Sequence, residues 1–153
     1  MANERKDRDK GFLFLVEIGG FNKAAFRTCS PIRRDTEIIE NWEGGEMIAD
    51  KDPGRTMFDP ITLERAMTDN EELRQWCEDV VNFTEGNAGV PLNELKKTVD
   101  IIQLDRTRTP IRKYRLHECW PNTDQIGPWD NTTSENVLES VTLTFKYYTR
   151  EPV

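Results

Sequence analysis

Pro53 to Asn82 reads PGRTMFDPITLERAMTDNEELRQWCEDVVN, and it runs from turn to strand to helix without a pause. Pro53-Gly54 punctuates, and the alternation in Ile61-Thr62-Leu63-Glu64-Arg65 predicts a strand, extended over 56–66. Thr68-Asp69-Asn70-Glu71-Glu72 then opens a helix. Asp69 is placed to accept from the Glu72 amide, the Glu72 carboxylate can reach back, and Glu71 and Glu72 favour the positive end of the helix. Leu73, Trp76, Cys77, Val80 and Val81 share one face, and Gly86 offers a left-handed stop after an expected end near 83–85. The segment defines architecture and holds no evident catalytic group.

Upstream, residues 1–10 alternate charges with almost no apolar content, which predicts a flexible N-terminal arm or one ordered by a neighbour. Phe12, Phe14, Val16 and Ile18 then alternate with Leu13, Leu15 and Glu17, a strand apolar on both faces and so expected to be central, ended by Gly19-Gly20. Further extended pieces are expected over 25–29 and 35–42. A long polar loop over 44–57, broken by Pro53 and Gly54, exceeds the needs of a hairpin, as loops with a contact to make often do.

Downstream, 99–104 and 111–120 read as a hairpin around Asp105-Arg106-Thr107-Arg108-Thr109-Pro110, with Tyr114, Leu116 and Trp120 on one face, Lys113, Arg115 and His117 on the other, and Pro121 as the stop. The longest alternation turns Val137, Val141, Leu143, Phe145 and Tyr147 inward and Ser140, Thr142, Thr144 and Lys146 outward. The expected fold is mainly β, one domain over 1–153: an antiparallel barrel or sandwich of about six or seven strands with one flanking α-helix.

Composition narrows the function. The chain has 153 residues, 36% hydrophobic and 32% charged, and carries a net charge of −7, which disfavours attachment to nucleic-acid phosphates or anionic lipid. No apolar stretch approaches a bilayer span and residues 1–10 lack the apolar core of a signal peptide, so the expectation is cytoplasmic synthesis without membrane insertion. Cys29, Cys77 and Cys119 are widely spaced and read as reduced thiols, two of them buried.

Motifs for catalysis are weak. His117 is the sole histidine, and His117 with Cys119 on one strand point the same way without converging as a nucleophilic pair must. With no second histidine, no zinc site is expected. Gly19-Gly20 and Gly44-Gly45 do not supply phosphate-loop spacing. The expectation is no enzyme, no cofactor and no metal. The cluster Arg106, Arg108, Arg112, Lys113 and Arg115 lacks stacking aromatics on its face and reads as the complement of an acidic patch on another subunit. Three of the four tryptophans (Trp42, Trp76, Trp120, Trp129) are expected in the core.

In this order the elements resemble the tail tube proteins of contractile phages and of phage-derived contractile injection systems. The resemblance rests on Phe14-Leu15-Val16-Glu17-Ile18-Gly19-Gly20, Asn41-Trp42-Glu43-Gly44-Gly45-Glu46, Asp52-Pro53-Gly54, Ile61-Thr62-Leu63-Glu64-Arg65-Ala66, Ile102-Gln103-Leu104-Asp105, Trp120-Pro121, Gly127-Pro128-Trp129 and Glu139 to Phe145. Cys29-Ser30-Pro31, where Gly-Leu is commoner, and Ala66, where Gly is usual, depart from the family.

The resemblance implies a barrel subunit of six-membered rings stacked into an inner tube, which contraction of a sheath expels. The 44–57 loop would make ring-to-ring contact. Candidate assembly residues are Trp42, Glu43, Glu46, Asp52 and Arg55, with Arg106 and Arg108 from the basic hairpin. Implied partners are further copies of itself, a contractile sheath protein, baseplate and spike proteins, and a lumen cargo of effector protein or DNA, all within a phage tail or tail-like particle. The alternatives are an adaptor ring at the baseplate, a type VI secretion-like tube subunit, or a monomeric barrel for a small ligand with a cavity near the tryptophans.

Overall fold

The computed structural model describes residues 13–19, 26–67, 71–81, 86 and 89–153. Among these residues the chain order is β1 (Phe14–Ile18), β2 (Thr28–Cys29), β3 (Arg34–Asn41), β4 (Asp50–Phe58), β5 (Ile61–Ala66), α1 (Glu72–Glu78), α2 (Leu92–Leu95), β6 (Lys97–Leu104), β7 (Pro110–Ile126), β8 (Leu138–Thr144) and β9 (Tyr147–Glu151). All pairings are antiparallel, and the fold is mainly β, as the alternation predicts. The N-terminal arm, Phe12, Gly20, Ala25 and the capping residue Asp69 lie outside the described residues.

Seven strands make one bent sheet in the order β1-β6-β7-β8-β5-β2, with β9 also on β7, while β3 and β4 pair only with each other. β7 is the spine. Its first half joins β1, β6 and β9 in what we term the β6 sheet, and its second half joins β8, β5 and β2 in the β8 sheet. The core lies between them. One side contributes rows such as Ile18–Val99–Leu116–Tyr148, and the other contributes Leu63–Val141 and Ile61–Leu143. Val16, Ile61, Leu63, Val99, Leu116 and Leu143 are fully enclosed.

The core-facing row of β5 ends in a charge. Arg65 stands opposite Glu139, forms an ion pair with it while both side chains are nearly buried, and lies 5.6 Å over the ring of Phe26.

Several sequence expectations need correction. Among the described residues β1 is an edge strand, bonded only to β6. Leu15 sits opposite the buried Ile102, so apolar cover on both faces of a strand does not require a partner on both sides. The proposed strand over 56–66 is two strands, split by the link at Asp59-Pro60. Residues 50–58 form β4, so the loop expected over 44–57 is confined to 42–49. Pro53 and Gly54 are tolerated there because the register shifts between Thr36 and Ile38, and a side chain at Gly54 would lie 3.2 Å from Glu37 Cβ and the Ile39 side chain.

Helix α1 is shorter than predicted. After Glu78 the Asp79 carbonyl accepts from the Val90 amide at 3.1 Å, and Gly89 packs so closely on that carbonyl that a side chain would collide with it. Gly86 has positive φ but lies beyond the end of α1. Leu73 and Trp76 are buried, Val81 is exposed, and α2 is a single turn that periodicity did not reveal.

β7 runs past Pro121 to Ile126, since Pro121 sits beside a register shift in a half-strand hydrogen-bonded only to β8. Glu118 has φ 53, and this bulge makes Cys119 rather than Trp120 the buried successor of Leu116. A matching turn at Phe145-Lys146 separates β8 from β9, where Lys146 N donates to His117 O at 3.0 Å. Tyr147 therefore lies outside, stacked on His117 at 4.4 Å, and Tyr148 packs on the core. Of the tryptophans, Trp76 is buried and Trp120 packs on the core, whereas Trp42 and Trp129 are exposed.

Candidate assembly interface

Five of the seven candidate assembly residues stand on the β3–β4 ribbon. Thr36 and Thr56 hydroxyls meet across it at 3.0 Å, Asn41 Nδ2 donates to Asp52 at 3.0 Å, and Glu46 N donates to Glu43 O at 3.1 Å around Gly45, whose φ is 88°. Its root is anchored by Phe58, 5.8 Å from the Phe145 ring and edge-on to Tyr148 at 5.6 Å, and by Arg33 paired with Asp59 at 3.5 Å.

Beyond that root the ribbon stands clear of the core. Every residue of β3 is exposed, and Ile38 (65%), Met57 (70%), Trp42 (62%), Ile48 (82%) and Met47 (96%) present apolar surface. A two-stranded ribbon is marginally stable alone, and such apolar exposure with two free strand edges marks an interaction surface. The ribbon is also acidic. Residues 34–58 hold Asp35, Glu37, Glu40, Glu43, Glu46, Asp50 and Asp52 against Arg34, Lys51 and Arg55.

Arg106 and Arg108 stand apart from these, on the turn between β6 and β7. Asp105 Oδ1 organises that turn by accepting from the Thr107 and Thr109 amides, each at 2.9 Å, and from the Thr107 hydroxyl at 2.7 Å. These bonds hold the Asp105 carboxyl below the usual carboxylate range. Its folded pKa lies below the unfolded one, so the turn is fully stabilised at neutral pH and loosens only as acid protonates the group. Arg106 and Arg108 are exposed and, among the described residues, have no ion-pair partner.

The rest of the basic cluster is used internally. On the β6-sheet face turned from the core, Asp100 pairs with Arg115 at 2.9 Å and Lys113 at 3.6 Å, and Asp100 holds the Arg115 guanidinium above its ordinary pKa. On the same face His117 Nε2 meets Thr149 Oγ1 at 2.8 Å, and that hydroxyl donates to Glu151 at 2.7 Å. His117 and Cys119 are divided between this face and the core by the Glu118 bulge.

Cys119 is buried, while Cys29 and Cys77 are half-buried. Burial pushes the thiols up, to about 11 for Cys29 and about 12 for Cys77 and Cys119, with Asp124 and Glu139 adding to the effect at Cys77. Thiolate is the reactive form, so we expect iodoacetamide at neutral pH to label the native protein far more slowly than the urea-unfolded chain, read by intact mass.

A cleft of about 620 Å³ opens between β1 and β2, lined by Phe14, Ile32, Ile101, Tyr114 and Tyr148 with Arg27 and Gln103; none of its lining residues is a tryptophan. Among the described residues no histidine, cysteine and carboxylate group converges to hold a metal ion.

Among the described residues, a bent antiparallel sheet with unpaired edge strands lies beside an exposed apolar ribbon and surface arginines without an ion-pair partner. Residues 10–149 match the family described as T4-like virus tail tube protein gp19, and the chain belongs to that family. A comparison with curated proteins gives no match. Among solved structures, a chain of the anti-feeding prophage tube terminating cap is 17% identical, with 100% of this chain and 97% of that chain covered at a TM-score of 0.81. A chain of the PVC sheath-tube complex in the extended state, from an extracellular contractile injection system, is 22% identical over 95% and 93% at 0.75. Hcp1 from Flavobacterium johnsoniae is 12% identical over 91% and 94% at 0.53. At these identities the likeness is one of fold.

Proposed function

We infer that this chain is the structural subunit of the inner tube of a contractile phage tail or phage-tail-like injection system, built as stacked six-membered rings. Membership of the tail tube family carries this reading. The β6 sheet supports it physically: among the described residues β1 bonds only to β6 and β9 only to β7, which leaves the sheet an unpaired edge on each side. Pairing the β9 edge of one copy with the β1 edge of the next extends the sheet, and a closed ring of such contacts makes a continuous wall around a passage.

The face bearing Asp100, Lys113, Arg115 and His117 lies on the side of that sheet away from the core and is the candidate lining of the passage. The work of such a subunit is mechanical. A sheath shortens, the rigid tube is driven outward, and DNA or an effector protein travels through it; the chain itself catalyses nothing. Sheath, baseplate and spike proteins are the remaining partners, and the mature location is the assembled particle. Trp42, Glu43, Glu46, Asp52 and Arg55 serve the contact between rings.

Negative-stain electron microscopy of the concentrated purified protein tests the reading. Rings or hollow rods are expected. Single particles at every concentration, with sedimentation as a monomer, would overturn it.

A further inference from the structure

The face assigned to the passage carries cations that its own strand pairing has already engaged. Glu17 on β1, Asp100 on β6, Arg115 on β7 and Thr149 on β9 stand in one cross-strand row, turned from the core. Leu15, Ile102, Lys113 and Glu151 stand in the next row on that side. Residues opposite each other across antiparallel strands share a face, so the carboxylates of Glu17, Asp100 and Glu151 stand there with the cations of Lys113 and Arg115. The balance is slightly acidic.

Asp100 is the centre of this arrangement. Its side chain is 12% exposed, against 23% for Lys113 and 34% for Arg115, so the carboxylate lies deepest and the two basic chains close over it. Arg115 grips both of its oxygens, Nε donating to Oδ1 at 2.9 Å and Nη2 to Oδ2 at 3.3 Å, while Lys113 Nζ stands 3.6 Å from Oδ2. One acid holds two bases.

We propose that Asp100 makes this face non-adhesive to nucleic acid, by holding Lys113 and Arg115 against the wall where they cannot replace the counterions of a phosphate chain. Affinity for such a chain comes from cations that displace its condensed counterions, and a base already paired on the protein can do so only by breaking that pair. The point matters because a weak phosphate site repeated in every copy along a tube would add up to strong retention. The place of the face rests on the tube reading. The masking itself belongs to the single subunit and can be measured there.

Asp100→Asn keeps the shape of the side chain and removes its charge. In fluorescence anisotropy with a labelled single-stranded DNA oligonucleotide, the variant subunit is expected to bind about tenfold more tightly than the parent at low salt, and the slope of log K against log salt should steepen by about 0.7 for each cation released. Adding Lys113→Gln and Arg115→Gln should return both values to the parent's. Arg106 and Arg108 are present in every variant, so their contribution cancels in the comparison.

The proposal falls if Asp100→Asn, folded by circular dichroism, binds the oligonucleotide as the parent does, or if its gain survives loss of both cations. Should Asp100→Asn fail to fold, Lys113→Gln in the parent decides, since it leaves the Arg115 pair in place. An unchanged salt slope is then expected, and a slope shallower by about 0.7 would show that the lysine was never masked. Parent tubes in the microscope leave the tube reading intact if the binding test fails. A parent that never forms rings removes the passage, and with it the purpose proposed for the masking.

Discussion

Replacing Glu139 with alanine is expected to lower the unfolding free energy of the isolated subunit by about 3–5 kcal/mol, the cost of breaking a nearly buried ion pair by removing one member. The side chains of Arg65 and Glu139 are 6% and 13% exposed and face each other across β5 and β8 in the row that otherwise continues through Leu63–Val141 and Ile61–Leu143. The Phe26 ring helps the cation but cannot replace a carboxylate.

In melting temperature the loss corresponds to roughly 6–20 °C for a domain of this size. The double change Arg65→Leu with Glu139→Leu removes both charges and should recover much of the loss, because a well-packed apolar pair often matches a buried ion pair. Ring formation would mask the effect, so urea melts belong at concentrations where copies are separate. A cost below about 1 kcal/mol for Glu139→Ala would mean that the pair is solvated in solution.

The second large effect is expected at Trp76. Its side chain is 1% exposed, and its indole Nε1 donates to the Leu95 carbonyl at 2.7 Å, tying α1 to the α2 turn. Trp76→Ala should cost about 3–5 kcal/mol through lost apolar contact and the cavity left behind. Trp76→Phe keeps most of the packing and leaves the Leu95 carbonyl without that donor, so a cost of about 1–3 kcal/mol is expected. Circular dichroism in urea measures both, and equal losses for the two variants would count against the hydrogen bond as a separate contribution.

Strand identity could be read from the sequence wherever alternation ran without interruption. Ile61-Leu63-Arg65 and Val141-Leu143-Phe145 point inward as their spacing requires, and their pairing builds half the core. What could not be read were the points where parity breaks. The bulge at Glu118 and the turn at Phe145-Lys146 each reverse the inward face, so Cys119 follows Leu116 into the core and Tyr147, expected inward, lies outside. A single chain's hydrophobic pattern records which residues leave water but not the residue at which a strand changes sheets.

The assembly residues show the same limit in another form. Trp42 on composition looks like core, yet it is exposed at the end of a ribbon that meets its own subunit chiefly at the root. Apolar residues whose burial is completed by another molecule cannot be told by periodicity from those completed within the chain. Lys113 and Arg115 erred in the opposite direction: they read as cations waiting for a partner, and Asp100, two strand positions from Ile102, already holds them. Only the three-dimensional register separates spent charge from free charge.

The pairing of β1 with β6 carries a consequence for how the polypeptide is made. Phe14 is matched to Gln103 and Ile18 to Val99, so a ribosome delivers β1 well before β6 exists, and β5, which can meet β2 at once, still lacks β8 on its other edge. By contrast β6 through β9 emerge as a meander of near neighbours that can zip in order of synthesis. The nascent N-terminal half thus travels with open backbone edges, which makes the interval before termination the time when premature pairing between neighbouring nascent chains threatens most.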